Sequence, residues 1–138
     1  MKILGLDLGS KTLGVASSDA TQTVASKLTT IVFNPNQYKE ALNKLNDLID
    51  FKDYDKIVLG LPKNMDGSIG YQAEETIYFK KKLEQLTGLE VILWDERLTS
   101  KMAHSLMITA DLSRKKRKKK VDYIAATIIL QSYLDSRK

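Results

Sequence analysis

The chain has 138 residues, 43% of them apolar, with a formal net charge of +5, no cysteine and one histidine. At ~100–200 residues per domain, that is a single domain spanning residues 1–138 with an ordinary hydrophobic core. The missing cysteines exclude disulfides, thiolate metal sites and cysteine nucleophiles, the lone His104 excludes a multi-histidine centre, and no apolar run approaches the ~18 residues of a membrane span.

In chain order, residues 2–8 (KILGLDL) read as an apolar strand interrupted by Asp7, not as a signal peptide. A short Gly-containing turn at residues 9–12 leads to a second strand, residues 13–17, so the pair reads as a hairpin. A third strand is expected over residues 27–33, ended by Asn34-Pro35. Tyr38, Ala41, Leu42, Leu45, Leu48 and Ile49 recur at helical spacing. Residues 55–61 (DKIVLGL) form a nearly continuous apolar run, the pattern of a strand covered on both faces. A polar loop, residues 63–70, precedes a second helix over residues 72–86, stopped by Thr87-Gly88. Residues 89–94 (LEVILW) are another buried strand, with Asp95-Glu96-Arg97 at its end. A helix is expected after Thr99 as N-cap, and a final, well-buried helix over residues 121–134. The fold class expected is α/β: a five-stranded mixed sheet, an antiparallel meander plus two parallel strands added by right-handed crossovers, with helices on both faces.

The charge is concentrated in one place. Arg114, Lys115, Lys116, Arg117, Lys118, Lys119 and Lys120 are consecutive. Without these seven, 15 basic residues face 17 acidic ones, a net of −2. Seven adjacent cations repel one another, so the run is expected as a loop that a polyanion would neutralise. Nucleic acid is the favoured partner. A solubility loop or a nuclear-localisation signal has similar composition.

Asp7 sits inside an apolar strand, where a charge needs a partner. Asp95 and Glu96 end a second central strand, and Asp122 opens the last helix, where the dipole favours an anion. Ligand sites in parallel sheets lie beyond the carboxyl ends of the strands, so Asp7, Glu96 and Asp122 can converge there. Three carboxylates in a chain without cysteine suit hard, oxygen-liking cations such as Mg²⁺ or Mn²⁺, one or two of them. The plainer alternatives are that Asp7 braces the hairpin turn, that Asp95 pairs with Arg97, and that Asp122 only starts a helix. The loop of residues 63–70 and Lys11 in the first turn are candidate phosphate contacts. Asp19 is expected to serve a turn or a cap.

Four segments then carry a resemblance. GLDLGSKTLGVASSD (residues 5–19), LGLPKNMDGSIG (59–70), DERLTS (95–100) and KKVDYIAATIILQSYLD (119–135) resemble, in the right order and over essentially the whole chain, the signature blocks of the YqgF proteins. These are also called RuvX: bacterial RNase H-like proteins related to the resolvase RuvC, described as pre-16S rRNA nucleases or Holliday junction resolvases. Two departures are visible: Thr12 follows Lys11 where the family often has a basic residue, and the segment before Asp122 is unusually rich in Lys and Arg. The resemblance implies an RNase H-like fold and divalent-metal phosphodiester hydrolysis, with Asp7, Glu96 and Asp122 as catalytic and metal-holding acids.

The function expected is therefore a metal-dependent endonuclease, a cytoplasmic hydrolase acting on structured nucleic acid. RNA in 5′-end maturation of pre-16S rRNA is favoured over a DNA junction, with pre-ribosomal particles as possible partners and monomer or homodimer left open. Lys11, Lys63, Arg97 and the cations from Arg114 to Lys120 would contact backbone phosphates. Two rivals remain: a non-catalytic ribosome-assembly factor, and a sugar kinase or actin-like ATPase. Those ATP-binding folds share the Asp7-Leu8-Gly9 type of hairpin opening but close their nucleotide cleft with a second domain.

Overall fold

The computed structural model describes residues 1–98 and 114–137, the side chains of residues 98 and 114–124 excepted. Its elements are β1 (Lys2–Leu8), β2 (Thr12–Ser18), β3 (Ala25–Val32), α1 (Tyr38–Leu48), β4 (Tyr54–Leu61), α2 (Tyr71–Thr87), β5 (Glu90–Asp95) and α3 (Arg114–Ser136). The five strands form one sheet in the order β3-β2-β1-β4-β5. β1, β2 and β3 are antiparallel neighbours, while β4 and β5 add parallel to β1. This is the mixed sheet that the strand order of the sequence implies. The helix expected after Thr99, with His104, Met102, Leu106 and Met107, lies outside the described residues.

Alternation along β1 builds two cores. Leu4, Leu6 and Leu8 point to one face, where they pack with Ala41 and Leu45 of α1 and Phe79 and Leu83 of α2. Ile3 points to the other face and joins Val58 of β4, Ala126, Ile129, Leu130, Tyr133 and Leu134 of α3. The fully buried leucines each contribute roughly 1.5–3 kcal/mol of transfer free energy. β4 is buried from Ile57 to Leu61, which accounts for its unbroken apolar run. α2 stops at Gly88, whose φ of +72° is the left-handed conformation that glycine tolerates and whose N–H bonds the Glu84 carbonyl at 2.9 Å.

Glycine also sets how closely α3 lies on the sheet. A Cβ on Gly5 would stand 2.7 Å from the Leu130 Cβ and 3.2 Å from the Ala126 carbonyl oxygen. At the other end of the helix, Arg137 Nη1 donates to Gln22 Oε1 (3.1 Å), and Gln22 Nε2 donates to the Met1 carbonyl (2.8 Å). α3 thus runs antiparallel to β1, and its early turns lie toward the carboxyl edge of the parallel strands.

Two expectations are corrected here. The basic run, residues 114–120, is not a loop: it forms the first turns of α3. Asp122 accordingly lies in the third turn and does not open the helix. Lys and Arg lose little rotamer freedom in a helix, and propagation from a docked segment adds one hydrogen bond per residue fixed. These two gains outweigh the mutual repulsion on which the loop expectation rested, and the unfavourable dipole as well. Smaller differences fall at strand ends: β3 begins at Ala25 and ends at Val32, earlier than the apolar letters suggest, because it is mostly exposed.

Candidate active site

The carboxyl edge of the parallel strands gathers the acids. Leu6 of β1 is in register with Leu59 of β4, so Asp7 falls level with Gly60. Gly60 in turn pairs with Trp94 of β5, and Leu61 with Asp95. Asp7 follows Ile3 and Gly5 on the α3 face of the sheet. Glu96 is the first residue past β5, in a single 3₁₀ turn, Glu96–Leu98. Its side chain folds back over Gly60, where a Cβ would stand 2.9 Å from Cγ and 3.0 Å from Cδ of Glu96. Gly60 is the gap that lets an acid from β5 reach an acid on β1 across the intervening strand.

Asp7 and Glu96 meet through a hydrogen bond. Burial is the first cause that holds Glu96 well above the carboxylate range, and the charge and hydrogen bond of Asp7 add to it, with Asp95 contributing further. Two like charges in one half-buried place repel, which together with burial favours the protonated form of Glu96. A divalent cation would replace that proton. The donor set is all carboxylate oxygen, which suits Mg²⁺ or Mn²⁺. Among the described residues no group of three acids, histidines or cysteines is assembled. Asp122 is placed by its backbone four residues before Ala126, one helical turn nearer the carboxyl edge than the Gly5 contact. Its side chain lies outside the described residues.

Asp95 takes a different partner. Arg97 Nε donates to Oδ1 and Oδ2 (3.1 and 3.0 Å) and Nη2 to Oδ2 (2.7 Å), a bidentate pair of the kind the sequence offers as the plain alternative. Arg97 beside it holds the Asp95 carboxyl below its ordinary range. Lys63 follows β4 at the same edge, near enough for its charge to be felt at Asp95. Lys11 sits in the β1–β2 turn, exposed, also at this edge. In the loop of residues 62–70, three N–H groups are spent internally: Asn64 on the Ser68 carbonyl (3.0 Å), Gly67 on the Asn64 carbonyl (2.8 Å) and Ser68 on Asp66 Oδ1 (2.9 Å). Those amides are not available to phosphate. The cations of residues 114–120 lie on the early turns of α3, their side chains outside the described residues. Asp19 does serve a turn: it accepts from Thr21 Oγ1 (2.6 Å) and from the N–H groups of Thr23 (2.8 Å) and Val24 (3.1 Å).

Sequence reasoning missed Gly60 and Gly5. The only signal was a glycine inside an otherwise apolar strand, which marks a close approach without naming what approaches. It also missed Gln72, whose Nε2 donates to the Leu8 carbonyl (3.3 Å) and ties the start of α2 to the turn beside Asp7.

A hairpin feeding a five-stranded mixed sheet, with an acid in the first strand facing an acid past the last, defines an RNase H-like fold. A family model described as "RuvX: Holliday junction resolvase" matches residues 1–136, and the chain belongs to this RuvX family. A protein of Geobacillus sp. (strain WCH70) named "Putative pre-16S rRNA nuclease" is 50% identical over 137 residues, covering 99% of each chain. Among solved structures, Thermus thermophilus RuvC in complex with a Holliday junction substrate aligns with a TM-score of 0.59 at 11% identity, over 99% of this chain and 95% of that one. The fowlpox virus Holliday junction resolvase aligns with a TM-score of 0.59 at 20% identity, over 99% of both. These two likenesses are of fold. The family description and the relative's name agree on a nuclease, and the chain is a hydrolase of that class. Among the described residues no helix is long and apolar enough to cross a membrane.

Proposed function

We propose that this protein is a divalent-metal-dependent endonuclease that cuts structured RNA in the 5′-end processing of pre-16S rRNA. The observation that carries the reading is the meeting of Asp7 and Glu96 at the carboxyl edge, made possible by the missing side chain at Gly60. Asp122, one turn before the Ala126 contact, would complete a three-carboxylate site, and these three acids would hold the ion or ions. A bound divalent cation supplies charge neutralisation at the scissile phosphate and lowers the pKa of an attacking water.

The chain's own residues then do the following. Asp7, on a central strand, gives the site its fixed point. Glu96, whose carboxylate would be favoured by a bound cation, would be a second anionic donor to it. Lys11 and Lys63 flank the edge, and the cations of residues 114–120 follow on the first turns of α3. Their contacts to backbone phosphate give affinity without sequence choice. RNA is preferred over a DNA junction because the 50% identical relative carries the rRNA name over its full length.

The test is cleavage of labelled substrates: an rRNA-precursor 5′ segment, a four-way DNA junction and single strands of each, with Mn²⁺, Mg²⁺ or EDTA. Asp7→Asn is expected to abolish cutting and to keep binding. Wild-type turnover by that variant would remove the metal assignment. Cutting of the junction in preference to the RNA would make the protein a resolvase, and binding without cutting on every substrate would make it an assembly factor.

A further inference from the structure

Arg97 is one of the cations expected to touch phosphate, yet three of its five guanidinium N–H groups already bond within the protein. Besides the bidentate pair with Asp95, its own backbone N–H donates to Asp95 Oδ1 (3.0 Å), so side chain and main chain clamp the same carboxylate. Nη1 reaches across to the Met65 carbonyl at 3.4 Å. A Cβ on Gly67 would stand 3.3 Å from Nη1, so the guanidinium lies directly against the loop backbone. Gly67 has φ +88°, a conformation that favours glycine, and its lack of a side chain gives the guanidinium its seat. Asp66, next to it, also feels the Arg97 charge.

The loop so held is a small unit of its own. Asn64 binds Ser68 through both main chain and side chain (3.0 Å each), and Asp66 accepts from the Ser68 hydroxyl at 2.6 Å. It leaves β4 at Leu61, in register with Asp95, and enters α2 beside the Gln72 bond to Leu8. Between those two ends, Arg97 adds a cross-link from Asp95 at the end of β5 to the Met65 carbonyl of the loop.

We propose that Arg97 is a positioning residue: latched by Asp95, it fixes residues 62–70 at the rim of the Asp7–Glu96 cleft and is not a phosphate contact. The consecutive acids of the DER segment then divide their work, Glu96 facing the cleft and Asp95 holding the latch. The effect on cleavage rests on the nuclease reading above. The latch itself does not.

The test begins with hydrogen exchange on the free protein, without nucleic acid or metal. Arg97→Ala and Asp95→Asn are each expected to speed exchange at the Asn64, Gly67 and Ser68 amides about tenfold, while the Ile57–Leu59 amides of β4 stay unchanged. The double variant should be no faster than either single one. Arg97→Lys should not rescue, because an ammonium cannot bond Asp95 in bidentate fashion and reach Met65 at once. Unchanged exchange in Arg97→Ala, or an Asp95→Asn variant that behaves as wild type, would overturn the latch. On nucleic acid, Arg97→Ala should raise KM about three- to tenfold with kcat within about twofold. Its salt dependence of binding should match wild type, and a slope shallower by about one would make Arg97 a phosphate contact and end the proposal. Since the exchange arm needs no substrate, failure of the nuclease reading and failure of the latch are told apart.

Discussion

A single hydrogen atom at position 60 decides whether two acids can share the edge of the sheet. In Gly60→Ala the methyl would stand 2.6 Å from Ile129 Cδ1 and 2.9 Å from Glu96 Cγ. The isoleucine terminus can rotate away, whereas Glu96 can yield only by withdrawing its carboxyl from Asp7. Gly60→Ala is expected to cost about 1–3 kcal/mol of stability and to lower cleavage by more than the loss of folded protein explains. Denaturant titration and turnover at one temperature check both halves. Asp19 gives a prediction in pH. Its hydrogen bond from Thr21, then those from Thr23 and Val24, hold its carboxyl at about 2. A carboxyl depressed on folding stabilises the protein above its unfolded value and stops doing so as pH falls through its folded one. The gap in thermal midpoint between wild type and Asp19→Ala should therefore be full above about pH 4 and narrow toward about pH 2. Of these residues, Asp7 was legible because a charge inside an apolar strand announces itself, Glu96 because it ends an apolar strand, and Asp19 because it follows a strand where a turn is expected. Gly60 was not, because an absent side chain does not say what fills its place.

At the scale of elements, the strand and helix order was legible because β1 and β4 are short, nearly continuous apolar runs and α1 and α2 bury residues at helical spacing. α3 was half legible. Its apolar half was read as a helix over residues 121–134, but its cationic half was taken for a loop, since repulsion was weighed and propagation from a docked helix was not. The seating of α3 rests on Gly5. In Gly5→Ala the new methyl would meet the Leu130 Cβ at 2.7 Å and a backbone carbonyl at 3.2 Å, neither of which can swing aside. The helix must lift from the sheet, at an expected cost of about 1–3 kcal/mol or more. Trp94, the one tryptophan, reports this directly: it packs edge-on against Tyr133 (centroids 5.5 Å apart) and donates to Ser132 Oγ at 3.2 Å. A shift in its fluorescence in the native state should accompany the lower denaturant midpoint.

Over the whole molecule, charge is divided between a body of net −2 and a seven-residue cationic run. The body alone would repel nucleic acid, so association should depend on the run. If it neutralises about five phosphates, log K falls against log[salt] with a slope near −4. Replacing residues 114–120 with serine should flatten that slope, and filter binding from low to moderate salt measures it. An unchanged slope would place the contact elsewhere.

The docking of α3 on β1 has a consequence for the order in which the molecule is made. The bonds from β3 and its preceding turn to α3 join residues 106 to 115 positions apart in sequence. Chains are synthesised from the N-terminus at ~5–20 residues per second, so the α3 face of the sheet stays bare until the last helix emerges. The part of the Asp7 face that α3 covers is thus closed only after residues 114–136 have been made. The proposed cleft, with Asp122 as its third acid, would therefore be complete only once α3 has been made.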